Sequence, residues 1–426
     1  MVKVVVAGGG WAGCAAALAA AKAGAEVTLL ERTDMLLGTG LVGGIYRNNG
    51  RYTAAEEAIA MGGGDLFVAM DAKARHRGLS FPGHNHASLY DVSSMEPLVK
   101  QVLTNYGITV RTRARAMDVL KYSRKIQALV IDSGEVIKGD VFVDTTGSAG
   151  PMGNCLKYGN GCAMCVLRCP SFGPRVSIAA RAQVKEVMGL KADGTFGAMS
   201  GSCKLNKDSL SQELRDKLNR EGAVILPVPA HLVKANSLGR KACSQYAITE
   251  YAENLVLLDT GHAKLMTSCY PLEDLRAIPG LENARYEDPY AGGLGNSVRY
   301  LGLAPCDNTL KVENVENLFC AGEKAGVFVG HTEAVVTGLL AGNNAVRHCL
   351  DMPYLQLPRT LASGDIIAFV HEKMTTQDGL KLRYTFSGSV YFERMKAMDL
   401  YSTDREEIGG RVKRAGLGDV YSQCLV

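Results

Sequence analysis

The apolar positions of the chain change period several times, and each change marks an element. An unbroken run, Val2 to Val6 in "VKVVVAGGG", predicts a parallel strand buried on both faces. Small apolar residues then fill "WAGCAAALAAAKAG", an alanine-rich helix, and "EVTLLE" returns to a strand pattern ending at Glu31. "GDVFVDTTGSAG" (139–150) predicts a further strand ending in Asp144, Thr145, Thr146 and Gly147. "VENLFCAGEKAGVFVGHTEAVVTGLLAGNNAV" predicts a strand, a glycine-rich turn and a helix starting near His331 to Ala334. Between these, "DSLSQELRDKLNREG" spaces Leu214 and Leu218 by one helical turn, with Ser209 or Ser211 as N-cap and Gly222 as stop. In "VRTRARAMDVLKYSRK" the parity of Arg111, Arg113 and Arg115 predicts one face of a strand, read as a solvated hairpin face ahead of a phosphate contact.

The first strand–turn–helix–strand unit carries Gly8, Gly10 and Gly13 as G-x-G-x-x-G, with Trp11 and Ala12 between them. Gly8 permits the tight turn, Gly10 lets a pyrophosphate approach the backbone, and Gly13 lets helix and strand pack closely. The helix N-terminus offers N–H groups and positive dipole to phosphates. Glu31 ends the second strand where a ribose diol is read. A triplet of glycines alone is weak evidence. In register with strand, helix and acid it predicts a dinucleotide-binding Rossmann-like unit, with Arg32, Gly38 and Thr39 following along the same ligand.

The 426 residues suffice for two or three domains. A composition 47% hydrophobic and 21% charged is that of a globular protein, and the net charge of +4 signals no nucleic-acid-binding surface. The most apolar stretch, "CAAALAAAKAGAEVTLL", holds Lys22 and Glu26 and is too short to span a bilayer. No leader pattern precedes the first strand, so a cytoplasmic protein without membrane contact is expected. The 12 cysteines are then expected as thiols, with ligand or catalytic roles weighed above disulfides. Cys243, Cys349 and Cys424 read as small buried hydrophobes.

The segments ending at Gly147 and spanning Gly322 to Ala334 resemble the second and third FAD-contact motifs of glutathione-reductase-type flavoproteins. That resemblance implies an α/β fold, a Rossmann-like FAD-binding domain with an inserted α+β domain. It places Thr146, Gly147, Gly322, Glu323, Gly330, Thr332, Glu333 and Ala334 along the cofactor, and Ala116 near the adenine. The expected layout is 1–155 plus 300–350 for the FAD domain, 156–300 for the inserted substrate domain, and 351–426 as an extension packed on the FAD domain. "PLEDLRAIPGLENARYEDPYAG" and the "AGEKAG" helix start further resemble the family of glucose-inhibited division protein A. "LPRTLASGDIIAFV" and "RYTFSGS" resemble its sister family, the folate- and FAD-dependent tRNA uracil-5 methyltransferases. By that resemblance Cys269, in "MTSCYPLEDL", is a candidate for covalent uracil chemistry. The stretch after Glu31, "MLLGTGLVGGIYRNNG", departs from the sister family in having no cysteine.

"GPMGNCLKYGNGCAMCVLRCPSFGPR" concentrates four cysteines. Cys155, Cys162, Cys165 and Cys169 give C-x6-C-x2-C-x3-C-P, which partly echoes the ferredoxin run and makes them the leading candidate ligands of a [4Fe-4S] cluster. Cys203 or Cys269 could replace one of them. If the segment is instead a strand, alternation splits the thiols between two faces, and Cys165 or Cys169 becomes a redox thiol beside the flavin or packs inertly. His84 and His86 read as a polar loop, and His331 as a catalytic neighbour of the flavin ring. The leading expectation is a FAD-dependent oxidoreductase, an iron–sulfur flavoprotein acting on a small molecule or redox protein. NAD(P)H is a candidate transient donor, and a homo-oligomer is one candidate assembly. The alternatives are a tRNA uracil-5 methyltransferase-like enzyme, with tRNA as partner but not favoured, and a non-catalytic flavin-binding module.

Overall fold

The computed structural model describes residues 1–147, 172–196, 198–199, 202–233, 248–267, 270–287, 298–299 and 302–426. Its centre is a five-stranded parallel sheet. In spatial order the strands are Leu318–Cys320, Val141–Asp144, Lys3–Ala7, Glu26–Leu30 and Thr109–Arg111. Val4, Val5 and Val6 are almost fully buried, as an uninterrupted apolar run in a covered parallel sheet should be. The Rossmann-like α/β unit expected from the sequence is therefore present, assembled from both ends of the chain.

The helix Trp11–Lys22 packs against the long helix His331–Cys349. Small residues make this contact close. A Cβ at Gly338 would stand 2.3 Å from the Ala12 carbonyl oxygen, and one at Gly342 would stand 2.1 Å from that of Ala16. Any side chain at either position would force the helices apart.

Among the described residues, three antiparallel sheets of three or four strands and two two-stranded antiparallel ladders accompany this core. Ala116–Tyr122, Lys125–Ile131 and Val136–Lys138 form a meander, and Ile45–Tyr46, His84–Tyr90 and Ala74–Phe81 form a second sheet. The third has four strands, Cys203–Leu205, Ala263–Leu265, Asn254–Asp259 and Ala223–Pro227. Helix Gln212–Glu221 covers it and buries Leu214 and Leu218 in a separate apolar core. Ser211 caps that helix through the Leu214 amide, and Gly222 ends it at φ 75°, as the sequence pattern indicates. A small apolar cluster, including Leu89, Val256 and Leu258, joins the second sheet to the third. After residue 351 the helices Ala362–Met374 and Ser389–Ala397 add Ile366, Val370, Tyr391 and Met395 to the main core.

Three local expectations fail. His84 and His86 lie in a strand, His84–Tyr90, and the His84 ring is buried 2.7 Å from Asn48 Nδ2. Long-range pairing with Ala74–Phe81 overrides the loop-like composition of "FPGHNH". The arginine stripe is also absent as a strand face. The strand stops at Arg111, which pairs with Glu135, and Arg113 takes a left-handed φ of 54°. Cys424 is exposed rather than buried, and Cys349 is half-buried.

Candidate functional site

The glycine turn is built as its spacing requires. Gly8 sits at φ 107°, a conformation that L side chains rarely adopt. A Cβ at Gly13 would stand 1.8 Å from the Gly8 carbonyl oxygen, so that position admits no side chain. A Cβ at Gly10, by contrast, would meet nothing within 4 Å. Gly10 is the N-cap of helix Trp11–Lys22, no side chain caps that end, and no acid lies in its first turn. Open space thus lies before a helix terminus whose first N–H groups have no intrahelical partner.

Glu31 closes one side. Its carboxylate accepts from the Gly9 amide at 2.8 Å and the Thr33 amide at 2.9 Å, which fixes it at the end of the second strand. Arg32 donates to the Gly173 carbonyl at 2.5 Å. Gly38 and Thr39 belong to a short 3-10 turn, Gly38–Val42, and are half-buried. Ala116 begins the meander and is buried. Thr146 is tied to Asp144 Oδ1 by its amide at 3.0 Å and its hydroxyl at 2.7 Å, and Gly147 follows at φ 74°.

The far end is formed by the start of helix His331–Cys349. Its N-cap, Gly330, carries no side-chain cap, and the buried Thr332 hydroxyl has no hydrogen-bond partner among the described residues. Gly322 turns at φ 65° and is held by its amide on Thr337 Oγ1 at 2.9 Å. Glu323 and Ala334 are half-buried beside it. Glu333 has a different environment from its neighbours. Its carboxylate is buried and receives Arg51 Nε at 3.2 Å, the Thr385 hydroxyl at 2.6 Å and the Phe386 amide at 2.8 Å. It is occupied by protein groups that the sequence pattern did not connect to it.

His331 stands in an aromatic group. Its ring centroid is 5.8 Å from both Trp11 and Tyr90, and Nδ1 lies 3.3 Å from the Tyr90 hydroxyl. Gly43 lies directly against the imidazole, since a Cβ there would overlap it. Behind the same turn two lysines sit opposite each other in neighbouring strands, Lys204 and Lys264. Lys204 donates to the Leu41 carbonyl at 2.7 Å, and Lys264 to those of Val42 at 3.0 Å and Gly43. Burial, then the charges of Lys204 and Arg51, bring Lys264 down to about 7. Burial likewise brings Lys204 to about 8, against an opposing pull from Glu287. Arg51, Tyr90, Lys204 and Lys264 were missed in the sequence. The one local signal was the dense polar run "YRNNGR", in which Arg47 and Asn49 both take left-handed φ.

Cys155, Cys162, Cys165, Cys169 and Cys269 lie outside the described residues. Among the described residues no group of three or more His, Cys, Asp or Glu side chains is placed to hold a metal ion. Cys203, considered as a replacement ligand, is fully buried in the apolar core of the four-stranded sheet, opposite Leu265.

Sheet order, glycine turn and a second helix terminus facing the same end define a Rossmann-like fold of the FAD-binding type. The sequence profile of the family "Glucose inhibited division protein A" matches residues 3–259 and 262–353, and the chain belongs to that family. A Thermus thermophilus methylenetetrahydrofolate–tRNA-(uracil-5-)-methyltransferase TrmFO is 36% identical over 99 residues, 22% of this chain and 21% of that protein. A Chlorobaculum tepidum tRNA uridine 5-carboxymethylaminomethyl modification enzyme MnmG is 40% identical over 90 residues, 21% and 14% of the two chains. The chain thus spans about a fifth or less of the length of these curated relatives. The Aquifex aeolicus GidA structure superposes with a TM-score of 0.63 at 17% identity, covering 97% of this chain and 76% of that one. Among the described residues no helix is long and apolar enough to cross a membrane.

Proposed function

We propose that this chain is a FAD-dependent enzyme that modifies a uridine base in RNA. The supporting observation is the family match across residues 3–259 and 262–353, with relatives whose names state tRNA uridine modification. This reverses the ranking drawn from charge and cysteine spacing, in which a small-molecule or redox-protein substrate stood ahead of RNA.

FAD suits the residues present. The space before Gly10 and the buried Thr332 hydroxyl, which has no hydrogen-bond partner among the described residues, suit a polar ligand. In this reading Gly8, Gly10 and Gly13 hold the pyrophosphate, Glu31 the ribose, and Gly322, Glu323 and Thr332 the far end. Bound there, FAD would supply two-electron chemistry at its flavin ring. His331, oriented by Tyr90, would present an imidazole at the helix terminus. Lys264 near neutrality can hold or release a proton beside the Gly43 turn. Cys269 would be the thiol that attacks the base.

A second reading keeps the iron–sulfur flavoprotein, and one observation favours it, the C-x6-C-x2-C-x3-C-P spacing at Cys155 to Cys169. Anaerobic purification with FAD, iron and sulfide analysis tests both, followed by incubation with an unmodified tRNA transcript, NADPH and methylenetetrahydrofolate. One FAD per chain, salt-sensitive tRNA binding and a new modified uridine by mass spectrometry is the expected result. FAD without tRNA binding, with about four iron and four sulfide, would replace the RNA reading by the second one.

A further inference from the structure

We propose that Ser177, Glu186 and Lys324 are positioning residues for the dinucleotide, a buried cluster that sets the turn after Asp144 and the turn at Gly322 against each other. The inference rests on the FAD reading above. It adds residues that the glycine and acid motifs do not contain.

The cluster is charged and closed off from water. The side chains of Lys324 and Glu186 are 0% and 2% exposed. Lys324 ends the 3-10 turn Gly322–Lys324. Its Nζ donates to Glu186 Oε1 at 2.7 Å, to the Gly302 carbonyl oxygen at 2.8 Å and to Ser177 Oγ at 3.2 Å. All three ammonium protons are thus used. The Ser177 hydroxyl donates to Glu186 Oε1 at 2.5 Å and accepts from the Ala180 amide at 3.2 Å, as N-cap of the short helix Ile178–Arg181.

From there the bonds continue to the parallel sheet. The Ala179 amide donates at 2.8 Å to Oδ2 of Asp144, the last residue of its strand. Asp144 Oδ1 is the oxygen that receives Thr146. The Ala304 amide donates to the Lys324 carbonyl at 2.8 Å and holds the other side of the Gly322 turn. One line of hydrogen bonds therefore runs from Lys324 through Ser177, the helix Ile178–Arg181 and Asp144 to Thr146.

A buried ion pair is a costly way to fill space, because both ions lose their water and an apolar pair of similar volume packs as well or better. What it supplies here is direction, since each bond fixes one donor on one acceptor. Glu186 Oε2 is buried and has no hydrogen-bond partner among the described residues, so the carboxylate acts through Oε1 on Lys324 and Ser177. Residues 177 and 186 belong to the stretch expected as the inserted domain. The start of that stretch thereby sets the spacing of two turns that face the cofactor. Coupling of this kind is reciprocal, so a ligand held between the two turns tightens the helix Ile178–Arg181.

The full chain is purified with its FAD, and flavin release on dilution is followed by fluorescence. Ser177→Ala, which removes one hydroxyl, should release FAD about tenfold faster than wild type. Lys324→Met/Glu186→Met removes both charges together, which avoids an unpaired buried ion, and should release FAD at least as fast. Thr146→Val should also speed release. Combined with Ser177→Ala it should add much less than its own effect, since both act through Asp144. FAD returned to the stripped chain should slow hydrogen exchange across residues 177–186, and Ser177→Ala should abolish that slowing. Urea midpoints of the flavin-free proteins separate loss of fold from loss of position. Wild-type release rates in folded Ser177→Ala and folded Lys324→Met/Glu186→Met would overturn the inference. So would independent, multiplicative effects of Ser177→Ala and Thr146→Val. A wild-type chain that takes up no FAD would overturn the FAD reading itself, and the inference with it.

Discussion

Arg51 and Glu333 form a buried ion pair, with Arg51 Nε 3.2 Å from both carboxylate oxygens. The two residues stand on helices Gly50–Ala60 and His331–Cys349, far apart in sequence. Arg51 also donates to the Thr385 hydroxyl at 2.9 Å and the Val329 carbonyl at 3.1 Å. The pair therefore fastens the first turn of the late helix to the early helix and to the C-terminal segment. Removing either partner leaves a buried charge. Glu333→Gln or Arg51→Met should each cost about 3–5 kcal/mol, and the double variant Arg51→Met/Glu333→Leu less than their sum. Urea denaturation of the four proteins checks this, and additive costs would mean that the pair is not coupled.

Gly10 and Gly13 separate ligand space from packing space. Gly13→Ala should yield little folded protein, because its Cβ has no room beside the Gly8 carbonyl. Gly10→Ala should fold with nearly unchanged stability, since its Cβ enters open space, yet retain much less FAD. Flavin absorbance per chain after purification is the measurement. Full FAD content in Gly10→Ala would remove the pyrophosphate from that position.

Asp259 ties the strand Ala74–Phe81 to the four-stranded sheet. Its buried carboxylate receives Arg75 Nε at 2.9 Å, His76 Nε2 at 2.9 Å and Lys207 Nζ at 2.5 Å. Burial alone would raise its pKa, but these partners outweigh it and hold Asp259 at about 2. A carboxyl depressed on folding stabilises above about pH 4, and that contribution is lost as pH falls from about 4 to 2. Asp259→Asn should cost about 3 kcal/mol at pH 7, with the gap to wild type closing through that window. Denaturation midpoints measured at pH 7, 4 and 3 give the answer, and a constant gap would contradict it.

Lys264 carries the opposite sign. Its folded pKa near 7 lies below the ordinary lysine value of about 10.4, so between those values the unfolded chain binds more protons. Stability contributed at this position rises with pH across that interval. Lys264→Met should gain most over wild type at pH 6 and least at pH 10. Thermal melts across that range test it. A gap that does not vary with pH would show that burial leaves this ammonium undisturbed.

Local patterns were legible and distant pairings were not. Gly8, Gly13 and Glu31 belong to one short unit whose spacing encodes its geometry, and Ser211, Leu214 and Gly222 describe a single helix. The Arg51–Glu333 pair has no such signature, because nothing near either residue names the other. His84 was misread because its strand is made by pairing with residues 74–81 rather than by its own propensity. The arginine parity failed because one left-handed residue, Arg113, ends the alternation on which it depended. Cys306 is a similar case, since only the fold brings it to His371.

The place of Leu318–Cys320 beside Val141–Asp144 sets a timetable for biosynthesis. Every strand of the four-stranded sheet leaves the ribosome between these two neighbours. At about 5–20 residues per second that interval lasts roughly ten to thirty seconds. Throughout it the first helix shows the Ala12–Ala16 face that Gly338 and Gly342 will later cover. Closure of the sheet, and with it any capture of a dinucleotide between the two helix ends, is consequently a late event on the nascent chain. A pause or lesion in the middle of the message would strand the early half with its most apolar helix uncovered.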